Sequence, residues 1–381
     1  MPKPPANTAY FTYFPKDYRW SGRIVGMVSS ALWGASEISE VDQVGRRLSK
    51  RLGDDKLWFR EWVRMGERVR ALGLSEERKG HKLTAAAHYL RACYYYQNGE
   101  RHVAPPKDKK ALAAYRKALD CFRRYVRLID QPRIEIVEVP YEKGKKLPAY
   151  FVHAENTKKT KPPVVVFFDG RDSTKEINYL RGVKDLVRRG MSCLVIDGPG
   201  TGEAVRFRKA YLRHDYEVAG SAALDYLETR KDVNAKKAAV MGISLGGYYA
   251  PRVASMERRY KACVAWGANW DYHKTWKIRG VSVRSFMEIM NVKSPAEVQK
   301  MFDKFCLDGV VQKMRCPFLL THGAGDWRVP TREARALLRA VGSKDKTLRI
   351  FTVKEGGAQH CQGDNMSLGA TYVFDWLQEK L

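Results

Sequence analysis

The segment GISLG at residues 242–246 places Ser244 on a predicted turn between two glycines. The apolar run at residues 238–241 precedes this turn as a predicted strand, and a segment with helical character follows it from Tyr248. A serine on such a strand-to-helix turn adopts a strained backbone conformation that exposes its hydroxyl, and the glycines avoid clashes. We therefore predict that Ser244 is a nucleophile and that the backbone N–H of Leu245, at the helix N-terminus, stabilises an oxyanion. The alternative interpretation is a glycine-rich turn without chemistry.

A serine hydroxyl is a weak nucleophile unless a nearby base accepts its proton. In strand–turn–helix sites of this kind, an acid and then a histidine follow the serine in the chain. His360 lies in a loop between the last predicted strand, at residues 348–353, and a closing helix at residues 366–377. Because it is the only histidine after His322, we predict His360 as the base and assign His322 a structural role. The alternative is that His360 is a surface histidine.

The acid that orients the base should follow a late strand. Residues 318–321 form a predicted strand that leads into the turn GAGD, which ends at Asp326. This position predicts Asp326 as the acid, although an aspartate there could also serve only to cap the turn or the helix near Pro330. Asp364 is a competing candidate, but it lies four residues after His360 and away from a predicted strand end.

A second oxyanion donor should come from the turn after the third strand, which is predicted at residues 163–168. The backbone N–H of Gly170 or of Arg171 lies at that turn. The Arg171 side chain could also attract an anionic substrate, or it could form a salt bridge with Asp172, and the sequence does not decide between these roles.

The segment at residues 267–311 is long for a connection between neighbouring strands. It mixes aromatic and polar groups just past a strand end, and such loops often line pockets. The sequence therefore predicts pocket residues here, with a surface insertion packed on its own aromatic residues as an equal alternative. The candidates are Trp270, Asp271, Tyr272 and His273, with Trp276 close by.

The elements that must position these residues lie after Pro132. Two strands separated by a polar turn come first, and further strands then alternate with helix-length segments, which predicts a mainly parallel sheet with helices on both faces. Ligands of such sheets bind outside the carboxyl ends of the strands. The predicted strands are residues 133–139, 147–153, 163–168, 192–196, 238–241, 262–266, 318–321 and 348–353.

Residues 1–131 have helical patterns and are predicted to form a separate helical subdomain. Apolar residues recur at spacings of three and four, as on one face of an amphipathic helix. Asp54 and Asp55 lie where an N-terminal cap belongs. A later helix at residues 112–129 repeats the pattern, but no 34-residue repeat supports a tetratricopeptide array. The first stripe consists of Trp58, Trp62, Met65, Val69 and Leu72.

The composition limits the class of protein. The chain has 381 residues, of which 44% are hydrophobic, so it can bury a sizeable core and wholesale disorder is excluded. We find no secretory signal and no apolar run long enough to span a bilayer. Seven cysteines without a C-x-x-C pair argue against a disulfide framework or a zinc ribbon and favour a cytoplasmic protein.

The formal net charge of +27 could attract anionic substrates, nucleic acid or acidic membranes. The Lys and Arg residues are, however, scattered through the chain, and none of their short clusters lies in a nucleic-acid-binding motif. We therefore predict a solvated basic surface, with no specific nucleic-acid or membrane partner, rather than a polyanion site.

Four segments of the chain resemble one α/β-hydrolase family: residues 169–176, 197–203, 242–249 and 360–361. That family includes 2,6-dihydroxypseudooxynicotine hydrolase, the fermentation–respiration switch esterases and the fungal yellowish-green pigment hydrolases that shorten a polyketide. The resemblance covers most of the chain. It implies an α/β-hydrolase fold whose catalytic domain, residues 132–381, carries a helical cap or lid, residues 1–131, over the active site.

The resemblance also implies a Ser-Asp-His triad, which falls on Ser244, Asp326 and His360, and a homodimer. The nicotine-degrading relative has an extra carboxylate in the loop after the sixth strand. This chain has no acid at a clear match near Trp276, and Asp271 is the nearest candidate.

These observations lead us to expect a serine hydrolase that cleaves an ester or similar acyl bond of a small, partly aromatic substrate through an acyl-enzyme. No metal and no organic cofactor is expected. One alternative is hydrolysis of the carbon–carbon bond of a 1,3-diketone or polyketide chain. Another is a non-catalytic protein that uses its basic surface for binding.

Overall fold

The computed structural model describes residues 12–103, 108–171, 173–267, 269–275 and 283–381. Two compact units share the chain, and their boundary in sequence lies between Ile134 and Glu135, compared with the predicted boundary after residue 131.

The unit that ends at Ile134 is helical. Its core contains three buried tryptophans. The ring centroid of Trp58 lies 5.0 Å from that of Trp20 and 5.8 Å from that of Trp62. Burial of such large aromatic side chains is a major source of folding free energy. The α-helices described in this unit are α1 (Tyr18–Ser29), α2 (Ile38–Leu48), α3 (Asp55–Arg78), α4 (Lys82–Glu100) and α5 (Lys109–Leu128).

The predicted start of α3 is confirmed, because the Asp54 carboxylate accepts hydrogen bonds from the backbone N–H groups of Lys56 and Leu57. The prediction that Leu72 belongs to the buried stripe of α3 is wrong, since its side chain is 44% exposed. Gly73 makes the contact instead: a Cβ there would lie 3.0 Å from the Tyr89 ring. The ring therefore packs against backbone, and Leu72 is left at the edge of the contact.

The second unit is built on one eight-stranded sheet with the order β1-β2-β4-β3-β5-β6-β7-β8. Strands β3 to β8 pair in parallel and β2 pairs antiparallel with β4, which confirms the predicted mainly parallel α/β fold. The strands are β1 (Ile134–Pro140), β2 (Lys146–Val152), β3 (Val164–Phe168), β4 (Ser192–Ile196), β5 (Ala238–Ile243), β6 (Ala262–Trp266), β7 (Phe318–Gly323) and β8 (Lys346–Phe351).

Helices pack on both faces of this sheet. Alternate strand residues point to opposite faces. Cys263 and Ala265 of β6 join the core that includes Tyr249, whereas the Trp266 ring contacts Phe374 on the other face. The helices are α6 (Lys175–Tyr179), α7 (Val183–Val187), α8 (Gly202–Phe207), α9 (Glu217–Thr229), α10 (Gly246–Met256), α11 (Tyr272–Thr275), α12 (Val283–Met290), α13 (Pro295–Phe302), α14 (Thr331–Ala340) and α15 (Met366–Lys380).

Strands β5 and β7 each run two residues further than predicted, to Ile243 and Gly323, and two other boundaries near the predicted site also differ. Helix α10 begins at Gly246, two residues earlier than predicted, so that Ser244 lies directly between strand and helix. Strand β8 ends at Phe351 rather than at Val353, because its neighbour β7 ends where Gly323 pairs with Phe351. Beyond that pair there is no partner strand, and Val353 is 46% exposed.

None of the described helices has the length and apolar character needed to cross a bilayer. All seven cysteines lie within the described ranges, and none of them forms a disulfide.

Candidate active site

Ser244 has the strained backbone predicted for it. Its φ angle is +58°, in the left-handed region that residues with a Cβ rarely adopt. The turn is tight, because a Cβ at Gly242 would overlap the carbonyl oxygen of Gly246. The Ser244 N–H donates to the carbonyl oxygen of Trp266 at 2.9 Å, which ties the turn to the neighbouring strand β6.

The carbonyl group of Ser244 is also held. It accepts a hydrogen bond from the Gly247 N–H at 2.8 Å and another from the side-chain amide of Asn269. Asn269 is buried, with 1% of its surface exposed. The sequence reasoning missed this residue, because only the return of the loop after β6 brings it to the serine.

The structure brings together the three side chains that the sequence singled out for catalysis. The Ser244 Oγ lies 2.8 Å from Nε2 of His360, and Nδ1 of His360 lies 2.6 Å from Oδ2 of Asp326. The carboxyl ends of β5, β7 and β8 meet at one edge of the sheet, which places the three groups next to one another. With its proton on Nδ1, the imidazole can accept the serine proton on Nε2.

Asp326 is buried and its other carboxylate oxygen is also satisfied. Oδ1 accepts from the backbone N–H groups of Arg328 and Val329 at 2.9 and 3.0 Å. Burial alone would raise the pKa of Asp326, but the charge of His360 and its hydrogen bond outweigh burial and lower the pKa to about 2. The carboxyl group is therefore ionised at neutral pH.

Asp326 has the reciprocal effect on His360, whose side chain is only 16% exposed. Burial disfavours the imidazolium, but the nearby carboxylate outweighs it and raises the pKa of His360 above its usual value. His322 is fully buried, and its Nε2 lies 2.8 Å from the carbonyl oxygen of Val329. It also lies 3.9 Å from Asp326 Oδ2, so its contacts are with the turn that carries the acid.

Asp364, the competing acid, has a different set of partners. Its Oδ2 accepts from the N–H groups of Gly357 and Ala358 at 3.0 and 3.1 Å, and its Oδ1 accepts from Gln359 at 3.0 Å. These residues immediately precede His360. Asp364 thus fixes the backbone of the loop that carries the histidine, and Asp326 makes the contact with the imidazole.

Gly170 lies directly against Ser244. A Cβ on Gly170 would be 3.0 Å from the Cβ of Ser244 and 3.6 Å from its Oγ. The guanidinium of Arg171 points to α12, where Nη1 donates to Ser285 Oγ at 3.2 Å and the charge lies 5.3 Å from the centre of the Phe286 ring. Asp172, the alternative partner considered for Arg171, lies outside the described residues.

The other four pocket candidates have contacts within the segment after β6 or with the core. Tyr272 is buried, with its ring 5.0 Å from that of Phe302. His273 pairs with Asp303 at 2.6 Å, Asp271 pairs with Lys274 at 2.9 Å, and Trp270 packs against the core. These contacts favour the alternative that the insertion packs on its own side chains. Trp276 lies outside the described residues.

Within the described ranges, one group of side chains has the spacing of metal ligands: Glu135, His153 and Asp232. Arg230 donates to both carboxylates, at 3.0 and 2.6 Å. The guanidinium is thus a shared counter-ion of both carboxylates, and these ion pairs account for the arrangement of the group.

The chain is similar to known hydrolases in sequence and in fold. Residues 179–381 match the prolyl oligopeptidase family. Hydrolase LUC6 from Fusarium sp is 31% identical, over 86% of this chain and 88% of the relative. The 20-hydroxy-prefusarin hydrolase FUS2 from Gibberella moniliformis is 29% identical, over 85% of this chain and 88% of the relative.

Among solved structures, 2,6-dihydroxy-pseudo-oxynicotine hydrolase has the same fold, with a TM-score of 0.79 at 23% identity, covering 93% of this chain and 95% of that chain. The resemblance predicted from the sequence motifs is thereby confirmed. The chain is an α/β hydrolase and belongs to the prolyl oligopeptidase family.

Proposed function

We propose that this protein is a serine hydrolase that cleaves an ester or similar acyl bond through an acyl-enzyme. The observation that carries the proposal is the continuous hydrogen-bonded series from Ser244 through His360 to Asp326. His360 takes the serine proton as Oγ attacks the carbonyl carbon, and then gives that proton to the leaving group. Water, activated by the same histidine, releases the acid and regenerates the serine.

The negative charge of the tetrahedral intermediate needs fixed hydrogen-bond donors. We assign this role to the backbone N–H groups of Leu245, at the start of α10, and of Gly170. The contact between Gly170 and Ser244 supports Gly170 over Arg171 as the donor after β3. Arg171 remains a candidate for binding the substrate, since its backbone adjoins this site.

The proposed substrate is a small, partly aromatic acyl compound. The carbon–carbon alternative also needs donors that stabilise the leaving enolate, and no contact among the described residues identifies them. The name of the relative FUS2, a 20-hydroxy-prefusarin hydrolase, supports hydrolysis of a small organic compound by this chain.

Labelling with a fluorophosphonate tests the proposal. We expect one adduct, located by peptide mass spectrometry on Ser244, and none on heat-denatured protein. Turnover of p-nitrophenyl esters should accompany it. Product analysis with a matched ester and β-diketone decides which bond breaks. A folded protein that neither labels nor turns over any ester would instead support the non-catalytic alternative.

Replacing Asp364 with Asn should lower kcat by roughly 10- to 100-fold with little change in KM. The Asn side chain has one acceptor oxygen where the Asp364 carboxylate has two. At least one of the three N–H groups before His360 therefore loses its acceptor, at a cost of about 1–3 kcal/mol. Steady-state ester kinetics measure the effect. Asp375→Asn is the control, because that carboxylate is 58% exposed and pairs only at the surface with Arg189. Equal activity of the two variants would contradict this role of Asp364.

Replacing Gly170 with Ala should lower kcat by roughly 10- to 100-fold, less than the loss of a whole oxyanion donor. The new methyl group would lie 2.9 Å from the carbonyl oxygen of Ile243 and against Ser244, so that the loop must shift. Gly220→Ala is the control for overpacking, since its methyl group would crowd Val253 instead. Both variants should lose thermal stability. Only Gly170→Ala should also lose kcat, whereas the kcat of folded Gly220→Ala should match that of the wild type.

A further inference from the structure

Asp169 is a buried acid that the proposed mechanism does not use. It directly follows β3, precedes Gly170 and has no exposed surface. Within the described part of the chain, neither of its carboxyl oxygens receives a hydrogen bond from a donor group. An ionised carboxylate in this position would be very costly, because nothing replaces the water it has lost.

A second acid, Asp197, follows β4 and lies beside Asp169. Its carboxyl group is within hydrogen-bonding reach of Asp169. Asp197 accepts from the backbone N–H of Lys175 at 2.7 Å, from the Lys175 Nζ at 3.0 Å and from the backbone N–H of Glu203 at 2.8 Å. Because all of these partners are donors, Asp197 is the ionised member of the pair.

The charged groups around Asp197 form one buried network. Lys175 Nζ also contacts Glu176 at 2.9 Å and Glu203 at 3.1 Å, so one buried ammonium faces three carboxylates. Arg181 is a positive neighbour of Asp169. Burial and the negative charge of Asp197 raise the pKa of Asp169 well above its usual value. Among the described residues no cation contacts the Asp169 carboxyl group, so a fourth carboxylate charge would lack a directly paired counter-ion.

Asp169 also shares a peptide group with the proposed oxyanion donor. The peptide group between these two residues contains the Asp169 carbonyl and the Gly170 N–H. That carbonyl oxygen would lie 3.0 Å from a Cβ on Gly246, so it packs against the start of α10. A trans peptide is planar, with its C=O and N–H antiparallel. Fixing Asp169 at its side chain and at its carbonyl therefore fixes the direction of the Gly170 N–H.

We propose that Asp169 is a positioning residue, a neutral carboxylic acid that donates a hydrogen bond to Asp197 and so orients the Gly170 N–H towards the oxyanion. This inference rests on the proposed function, because it assigns Asp169 to the oxyanion site of that reaction. The proton stays on Asp169 throughout catalysis.

Infrared spectroscopy tests the protonation state without depending on activity. At neutral pH in D2O, the difference spectrum of wild type minus Asp169→Asn should contain the C=O stretch of a protonated carboxylic acid. Absence of that band overturns the inference, even when Ser244 still reacts with the fluorophosphonate. A protein that has the band but never labels contradicts the proposed function, and with it the positioning role.

Kinetics of two substitutions test the positioning role. The amide of Asp169→Asn can still donate to Asp197, so its kcat should stay within about 3-fold of wild type, whereas Asp169→Ala should lower kcat by roughly 10- to 100-fold with an unchanged KM. The Kd of a trifluoromethyl ketone, which forms a tetrahedral adduct, should rise by the same factor as kcat falls.

Two outcomes would overturn the positioning role. One is an Asn variant that is folded and as slow as the Ala variant, which would mean that a negative charge is needed. The other is a fully active Ala variant. If Asp169→Ala does not fold, the Asn variant and the infrared band still decide the question.

Discussion

Replacing Ser244 with Ala should lower kcat for p-nitrophenyl esters by roughly 10⁴- to 10⁶-fold and abolish fluorophosphonate labelling. The methyl group keeps the shape of the turn but has no hydroxyl to attack a carbonyl carbon. The fold should remain, because the contacts that hold this turn are made by the backbone of Ser244 with Trp266, Gly247 and Asn269. Ester kinetics, labelling and thermal unfolding of the same preparation measure the three effects.

Ser221→Ala is a suitable control. The Ser221 hydroxyl donates to Glu257, which follows the C-terminal end of α10, whereas Ser244 precedes the N-terminal end of that helix. Loss of the Ser221 hydroxyl should therefore leave kcat unchanged. If Ser244→Ala retained either full turnover or full labelling, the proposed mechanism would be wrong.

Replacing Asp326 with Asn should lower kcat by roughly 10⁴-fold, the scale seen when a triad acid is replaced by its amide. An Asn amide can accept from Arg328 and Val329 only by turning its NH2 group towards Nδ1 of His360. The histidine then carries its proton on Nε2 and cannot accept the proton of Ser244. Steady-state kinetics with a saturating ester measure the loss.

The pH dependence gives a second measurement of the same pair. Only neutral His360 accepts a proton, so activity should rise with pH, and the raised pKa of His360 places the midpoint above the value of about 6.5 for free imidazole. Asp326→Asn removes the charge that stabilises the imidazolium, while burial still disfavours it. The residual activity should therefore have its midpoint at lower pH than the wild type.

The chain offers a matched control for Asp326, since His273 and Asp303 form a second, exposed His–Asp pair at 2.6 Å. Asp303→Asn should change neither kcat nor its pH midpoint. A midpoint that stays in place in Asp326→Asn would show that the carboxylate does not set the basicity of His360.

The sequence was sufficient to predict the sheet, the turn at Ser244 and the two partners of the serine. Each of these depends on local patterns: an apolar run, a glycine-flanked turn, or a polar residue at a strand end. The parallel order of the strands then brings distant turns to one edge, so that residues 82 and 116 positions after Ser244 become its neighbours.

The sequence named Asp364 only as a competing acid, and it could not reveal the contacts that hold the backbone of the site. Asn269, Asp364 and Asp169 each depend on where a loop returns after leaving its strand, and no local pattern encodes that path. The pocket prediction for Asp271, Tyr272 and His273 had the same limit. Mixed aromatic and polar residues indicate that the side chains of a loop make contacts. They do not indicate whether those contacts are with a substrate or with other side chains of the same loop.

The position of the base in the sheet affects how loss of activity should be interpreted. Ser244 follows β5, which has strands on both sides, whereas His360 follows β8, which has one neighbour and lies at the edge of the sheet. Edge strands with half-exposed side chains open locally at a lower free-energy cost than central ones. Mild denaturant can therefore separate the imidazole from the hydroxyl while the central strands stay folded, and inactivation would then precede the spectroscopic unfolding of the sheet.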